Sequence, residues 1–148
     1  MKLNIQNKTM ASPENNFIED IFQENMKNVL GYLKTGGSIN FVDERDSTPL
    51  LTAIETDSYE LVKLLLDAGA NPNLATDYAS PLTSAIDVSM EAYKNDGLPQ
   101  PSTAIIELLL FHGADIHMPN NKGRNPYEFA KNYHLPAHKL FDSLERGG

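Results

Sequence analysis

The chain has 148 residues, with 12 lysines and arginines against 20 aspartates and glutamates, and no cysteine. A formal net charge of -8 excludes the basic surface with which nucleic-acid binders displace counterions. The missing cysteine excludes a disulfide framework, a Cys-ligated zinc and a thiol nucleophile. No run of 18 apolar residues is present, and the N-terminal MKLNIQNKTM lacks the apolar stretch of a secretory signal. The expectation is a cytoplasmic chain that meets neither membrane nor nucleic acid.

In chain order, residues 1–16 are polar and expected to be flexible. A short helix is expected near Phe17–Gln23 and another near Met26–Lys34. The second leads into Tyr32-Leu33-Lys34-Thr35-Gly36-Gly37-Ser38-Ile39-Asn40. Next comes Thr48-Pro49-Leu50-Leu51-Thr52-Ala53, a helix entry: the hydroxyl caps free backbone N–H groups and proline fits the first turn, where its own N–H is not needed. Ser80-Pro81-Leu82-Thr83-Ser84-Ala85 and Asn125-Pro126-Tyr127-Glu128-Phe129-Ala130 repeat that pattern. Between these entries lie helix ends of one design, Leu65-Leu66-Asp67-Ala68-Gly69-Ala70-Asn71-Pro72-Asn73 and Leu109-Leu110-Phe111-His112-Gly113-Ala114-Asp115-Ile116-His117. Two apolar residues close the helical face, and glycine takes the left-handed conformation that stops it. Leu61, Val62, Leu65 and Leu66 share one helical face, as do Ile105, Ile106, Leu109 and Leu110.

Two motifs recurring together resemble the ankyrin repeat, whose period is about 33 residues. Pro49 and Pro81 are 32 residues apart, whereas Pro81 and Pro126 are 45 apart, so the third repeat carries an insertion over 89–102. The resemblance implies an all-α fold, a solenoid of about four helix-turn-helix repeats with β-turn fingers. The repeats are expected over 17–40, 41–73, 74–117 and 118–144, with a tail over 145–148. The first lacks the Thr-Pro entry, as a capping repeat can. In the last, the second helix is expected to start near Pro136 and to carry Leu140, Phe141 and Leu144. The chain departs from the family where its inter-loop histidine is replaced by Leu51, Thr83 and Glu128, and where Asp46 and Tyr78 stand for the turn glycine kept at Gly123. Tyrosine tolerates positive φ poorly, so the turn at Tyr78 is expected to have a different shape.

Nothing in the sequence resembles a phosphate-binding glycine loop, a His-Glu-x-x-His helix or a nucleophile elbow, so no catalytic residue, cofactor or metal is assigned. His134 and His138 are four apart, as two metal ligands on a helix would be, but Pro136 between them is expected to leave His134 outside the helix. The resemblance instead implies a protein-binding module that is monomeric alone. Its finger positions are Glu44, Arg45, Ser47, Thr76, Asp77, Tyr78, Ala79, Asn121, Lys122 and Arg124, and its concave positions Thr52, Glu55, Thr56, Ser84, Asp87 and Val88. Residues 86–94 contain no helix breaker, so the first helix of the third repeat is expected to run on for two turns to a turn at Asn95-Asp96-Gly97, with Ser102 capping the next helix. Met90, Glu91 and Tyr93 become contact candidates on that extension.

The charge is localised. From Asp43 to Asp115 there are 13 acidic and three basic residues, a net of -10, which leaves +2 for the rest. A negative middle favours a partner with a basic surface. Small size, acidity and a bespoke insertion are similar to the immunity proteins that bacteria keep beside toxins. The alternative is an ankyrin scaffold or host-directed effector that binds another protein.

Overall fold

The computed structural model describes residues 12–147. Expectations for residues 1–11 and for Gly148 lie outside the described residues. Eight helices follow one another among them: α1 (Pro13–Phe22), α2 (Met26–Lys34), α3 (Pro49–Glu55), α4 (Tyr59–Asp67), α5 (Pro81–Asp96), α6 (Ala104–Phe111), α7 (Pro126–Tyr133) and α8 (Leu135–Gly147). Each odd helix packs on the even helix after it, and α1, α3, α5 and α7 stack in one row, with α4 against α6 behind.

The helix entries form as the sequence predicts. Leu51 N–H donates to Thr48 Oγ1 at 3.0 Å, Thr83 N–H to Ser80 Oγ at 3.3 Å and Tyr127 N–H to Asn125 Oδ1 at 2.9 Å. The same device begins α1, where Asn15 N–H donates to Ser12 Oγ at 3.0 Å and Pro13 opens the helix. The first repeat therefore has a Ser-Pro entry, and its helix starts at Pro13 instead of near Phe17. Residues 13–16 belong to that helix. At the other end α8 starts at Leu135, one residue before Pro136, and includes residues 145–147 of the expected tail. Phe141 on α8 is fully buried, whereas Leu144 is half exposed.

The helix ends also form as expected. Gly69 has φ 101°, and Gly69 N–H and Ala70 N–H reach back to Leu66 O and Leu65 O at 3.0 and 2.9 Å. Gly113, at φ 94°, repeats this on Leu110 and Leu109. Left-handed glycine lets the last carbonyls be satisfied without a Cβ clash. The core runs between the two helix rows: Ile21, Ile54 and Ile86 from one side, and Val62, Leu65 and Leu109 from the other, are fully buried.

Polar ties join successive repeats along both edges. Asn40 donates to Gly69 O and accepts from Asn71 N–H at 3.1 and 2.7 Å. Asn73 does the same with Gly113 O and Asp115 N–H at 3.0 and 2.7 Å. On the finger edge the family's histidine is replaced by another device. Asp46, left-handed at φ 61°, accepts Asp77 N–H on its carboxylate at 3.2 Å. Asn121 N–H and Lys122 N–H then donate to Thr76 O and Asp77 O at 3.0 and 3.1 Å. Asn73→Ala removes both hydrogen bonds of one inter-repeat tie and is expected to cost about 1–2 kcal/mol. Urea denaturation measures it, and an unchanged midpoint would show the tie to be redundant.

The finger at Tyr78 has the different shape expected of it. Thr76 N–H bonds Ala79 O across two residues, whereas Asp43 N–H bonds Ser47 O and Asn120 N–H bonds Arg124 O across three. Tyr78 is not among the positive-φ residues. Deleting one residue removed the position that would have required a left-handed conformation.

Candidate functional site: the concave face

The row of first helices and the finger loops enclose two hollows built alike. The larger, about 530 Å³, is lined by Asp87, Val88, Met90, Glu91 and Lys94 of α5, by Phe129 and Tyr133 of α7, and by Arg124 from the last finger. A helical period of 3.6 puts Asp87, Val88, Glu91 and Lys94 on one face of α5 and Phe129 and Tyr133 on one face of α7. The Phe129 and Tyr133 rings lie 4.9 Å apart, and the Arg124 guanidinium sits 4.8 Å from the Phe129 centroid, in cation–π range. The smaller hollow, about 190 Å³, is lined by Ile18 and Phe22 of α1, by Thr52 and Glu55 of α3, and by Arg45 and Ser47 of the first finger.

Each hollow thus combines an apolar wall, a carboxylate on a first helix and an arginine on a finger. The two carboxylates are shifted in the same direction. Desolvation by the surrounding protein raises the pKa of Glu55, with Arg45 opposing and Asp43 adding to the rise. Desolvation likewise raises that of Asp87, against the pull of Arg124 and Lys94. Both side chains are exposed, so these partly desolvated carboxylates are open to an incoming cation.

The expected contact residues divide. Arg45, Glu55, Asp87, Val88, Met90, Glu91 and Arg124 converge on the hollows. Tyr78 is 72% exposed, with Lys122 Nζ 5.6 Å from its ring centroid, and both project from the finger edge beside exposed Glu44 and Asp77. Thr52 lines the smaller hollow but is buried, its hydroxyl donating to Thr48 O at 3.0 Å inside the helix turn. Its partner Ser47 is half-buried at the rim, 3.1 Å away through the hydroxyls. Thr56 and Ser84 are half-buried, and Thr56 Oγ1 is spent on Ala53 O at 2.7 Å. Tyr93 is half-buried and lines neither hollow, since its register on α5 falls to the side of both. Thr76, expected among the finger positions, is buried at the finger base.

The sequence reading missed Lys94, Phe129, Tyr133, Ile18 and Phe22. The i, i+4 aromatic pair on α7 carried a signal, but only stacking shows that α7 faces α5. It also missed the anchor of the insertion. The helix α5 is extended as expected, but it takes in Asn95 and Asp96 of the expected turn and ends on left-handed Gly97. Its buried Ser89 donates to Ser102 O at 2.5 Å and lies 3.0 Å from His134 Nε2. That separation is the one a nucleophile and its base would have, but the tautomer is wrong for it. His134 Nδ1 accepts Ala137 N–H at 3.1 Å, capping α8, so the proton of the neutral ring is on Nε2 and the imidazole donates to Ser89. Burial lowers the pKa of His134 and keeps it neutral. Ser102 Oγ accepts Ala104 N–H at 3.2 Å, but Thr103, not Ser102, holds the N-cap position of α6, and no side chain caps that helix. Among the described residues, no group of three His, Asp or Glu side chains is placed to hold a metal, and no helix is long and apolar enough to cross a membrane.

The paired helices, finger loops and concave row define an ankyrin-type binding solenoid, and the family described as ankyrin repeats in three copies matches residues 20–120. The chain belongs to the ankyrin-repeat family. It is 37% identical over 114 residues to an ankyrin repeat protein of fowlpox virus, covering 75% of this chain and 30% of that protein. It is 33% identical over 88 residues to the BRCA1-associated RING domain protein 1 of Caenorhabditis elegans, covering 60% and 11%. The chain therefore spans less than a third of the length of these relatives. Among solved structures it resembles the ankyrin repeat domain of Bcl-3, a member of the IkappaB family, with TM-score 0.61 and 27% identity over 76% of this chain and 45% of that one. The ankyrin repeat is a non-enzymatic fold that mediates binding to other proteins.

Proposed function

We propose that the chain is a cytoplasmic binding module, monomeric alone, whose concave face and fingers hold one specific partner with a basic surface and neutralise it, as an immunity protein neutralises a toxin. The observation that supports this reading is the repeated hollow: an apolar wall beside a partly desolvated, exposed carboxylate, at Glu55 and again at Asp87. A lysine or arginine docking there meets an exposed carboxylate, while the apolar wall takes its neighbour. The -10 middle of the chain draws such a partner in. Tyr78, with its broad exposed ring, adds a rigid contact at the finger edge.

Affinity capture followed by kinetics with the identified partner tests the proposal. Glu55→Lys with Asp87→Lys is expected to weaken binding about 100-fold, through a slower on-rate as well as faster release. Tyr78→Ala is expected to weaken it about 10-fold, through release alone. Unchanged affinity in both variants would remove the concave face and the finger from the interface. Growth rescue on co-expression with the partner separates neutralisation from plain binding. The similarity to a fowlpox virus protein favours a second reading, a host-directed module on the same surface. A captured partner that is a host protein, with no effect on growth, selects it.

A further inference from the structure

The extension of α5 has a second face. Asp87, Val88, Glu91 and Lys94 turn to the concave hollow, whereas Ala85, Ser89, Ala92 and Asp96 lie about half a helical turn away and wall a separate groove of about 230 Å³. The α3–α4 turn closes one side of it with Asp57 and Tyr59, and the insertion and α6 close the other with Leu98 and Ile105. Its interior is apolar and its rim is acidic. No lysine or arginine lines it, and neither Asp57 nor Asp96 makes an ion pair among the described residues. Small-molecule sites run from roughly 300 to 1,000 Å³, so the groove suits one long side chain better than a whole ligand.

We propose that this groove receives a single lysine or arginine side chain of a partner protein, its aliphatic stem against Ala92, Leu98 and Ile105 and its charged head at Asp57 and Asp96. The match is one of charge and shape. A basic side chain is a hydrocarbon stem with a cationic tip, and the groove is an apolar trough with two unpaired carboxylates. Tyr59, 46% exposed at the mouth, adds an aromatic face for the cation. The two acids already feel each other: burial first, and then the Asp96 charge, raise the pKa of Asp57. A cation at the rim removes that repulsion. The insertion thereby gains a role that stacking of the repeats does not require. The groove is distinct from the concave face, so the two proposals can fail separately.

The test uses the full chain, labelled with ¹⁵N, titrated with the acetylated and amidated pentapeptide Gly-Ala-Arg-Ala-Gly and with its citrulline counterpart. Saturable shifts are expected at the backbone amides of Asp57, Tyr59 and Leu98, with a dissociation constant of roughly 1 mM. The citrulline peptide, uncharged but of the same shape, is expected to bind at least about tenfold more weakly. Asp57→Asn with Asp96→Asn is expected to abolish the arginine preference. Asn accepts the left-handed φ of 56° at position 57, and circular dichroism confirms that the variant folds. Absence of saturable shifts, equal response to the two peptides, or shifts centred on Asp87 and Glu91 instead would each overturn the proposal.

Discussion

Leu65→Ala is expected to lower the unfolding free energy by about 3 kcal/mol and the melting temperature by roughly 10 °C. Leu65 is fully buried on α4, the helix that packs on both α3 and α6. Removing its side chain leaves a void bounded by helices of two repeats, which cannot close without shifting one repeat on the next. Leu65 O also anchors the Ala70 N–H bond that ends the helix, and this bond survives in the alanine variant. The loss is therefore one of packing, not of capping. In a solenoid each repeat is stabilised by its neighbours, so a fault in the second repeat weakens the junctions on both sides. Urea unfolding followed by far-UV circular dichroism measures the change. A loss below about 1 kcal/mol, against the 2–5 typical of such truncations, would mean that the stack relaxes around the void.

His134→Ala is expected to cost about 2–4 kcal/mol, through three losses at one position. The variant loses the side-chain cap on Ala137 N–H, the hydrogen bond to Ser89 and the volume of a buried ring. The wild-type protein is also expected to respond to acid. Burial depresses the folded pKa of His134 below its ordinary value near 6.5, while the unfolded chain retains that value. Stability is then fully present above about pH 6.5 and falls as the pH drops through that value toward the folded pKa, because the unfolded state takes up a proton that the folded state refuses. His134→Asn tests this separately. Its amide oxygen can stand in for Nδ1 at the cap, and it does not titrate. Denaturation midpoints at pH 7.5 and 5.5 are expected to lie closer together in the asparagine variant than in the wild type. Equal pH dependence in the two proteins would place the acid sensitivity elsewhere.

Local chemistry made most of the fold legible. Thr48-Pro49, Ser80-Pro81 and Asn125-Pro126 start helices through bonds made within three residues, and Gly69 and Gly113 stop them through bonds made within five. Such signals need no knowledge of the neighbours. The same signal at Ser12-Pro13 was passed over because the residues after it, Glu14-Asn15-Asn16, are polar and mask the entry. At the site, Glu55, Asp87 and Val88 were readable from the repeat register, which assigns first-helix positions to a face, and Arg124 from the finger turn that precedes such a helix. Less legible were the burial of Thr52, held inward by its bond to Thr48 O, and the place of Tyr93, which sits to the side of an extension whose register no repeat supplies.

The net charge of the chain shows the same division. The sequence by itself determined that the chain is acidic, that the acid lies in the middle repeats, and that those repeats form an ankyrin stack, because composition, caps and period are properties of short stretches of chain. Only the tertiary structure decided which carboxylates are desolvated, that Asp46 braces the next finger in place of the family's histidine, and that Ser89 and His134, 45 residues apart, clamp the insertion. Those depend on distances between segments remote in sequence, and such distances are set by how the helices pack.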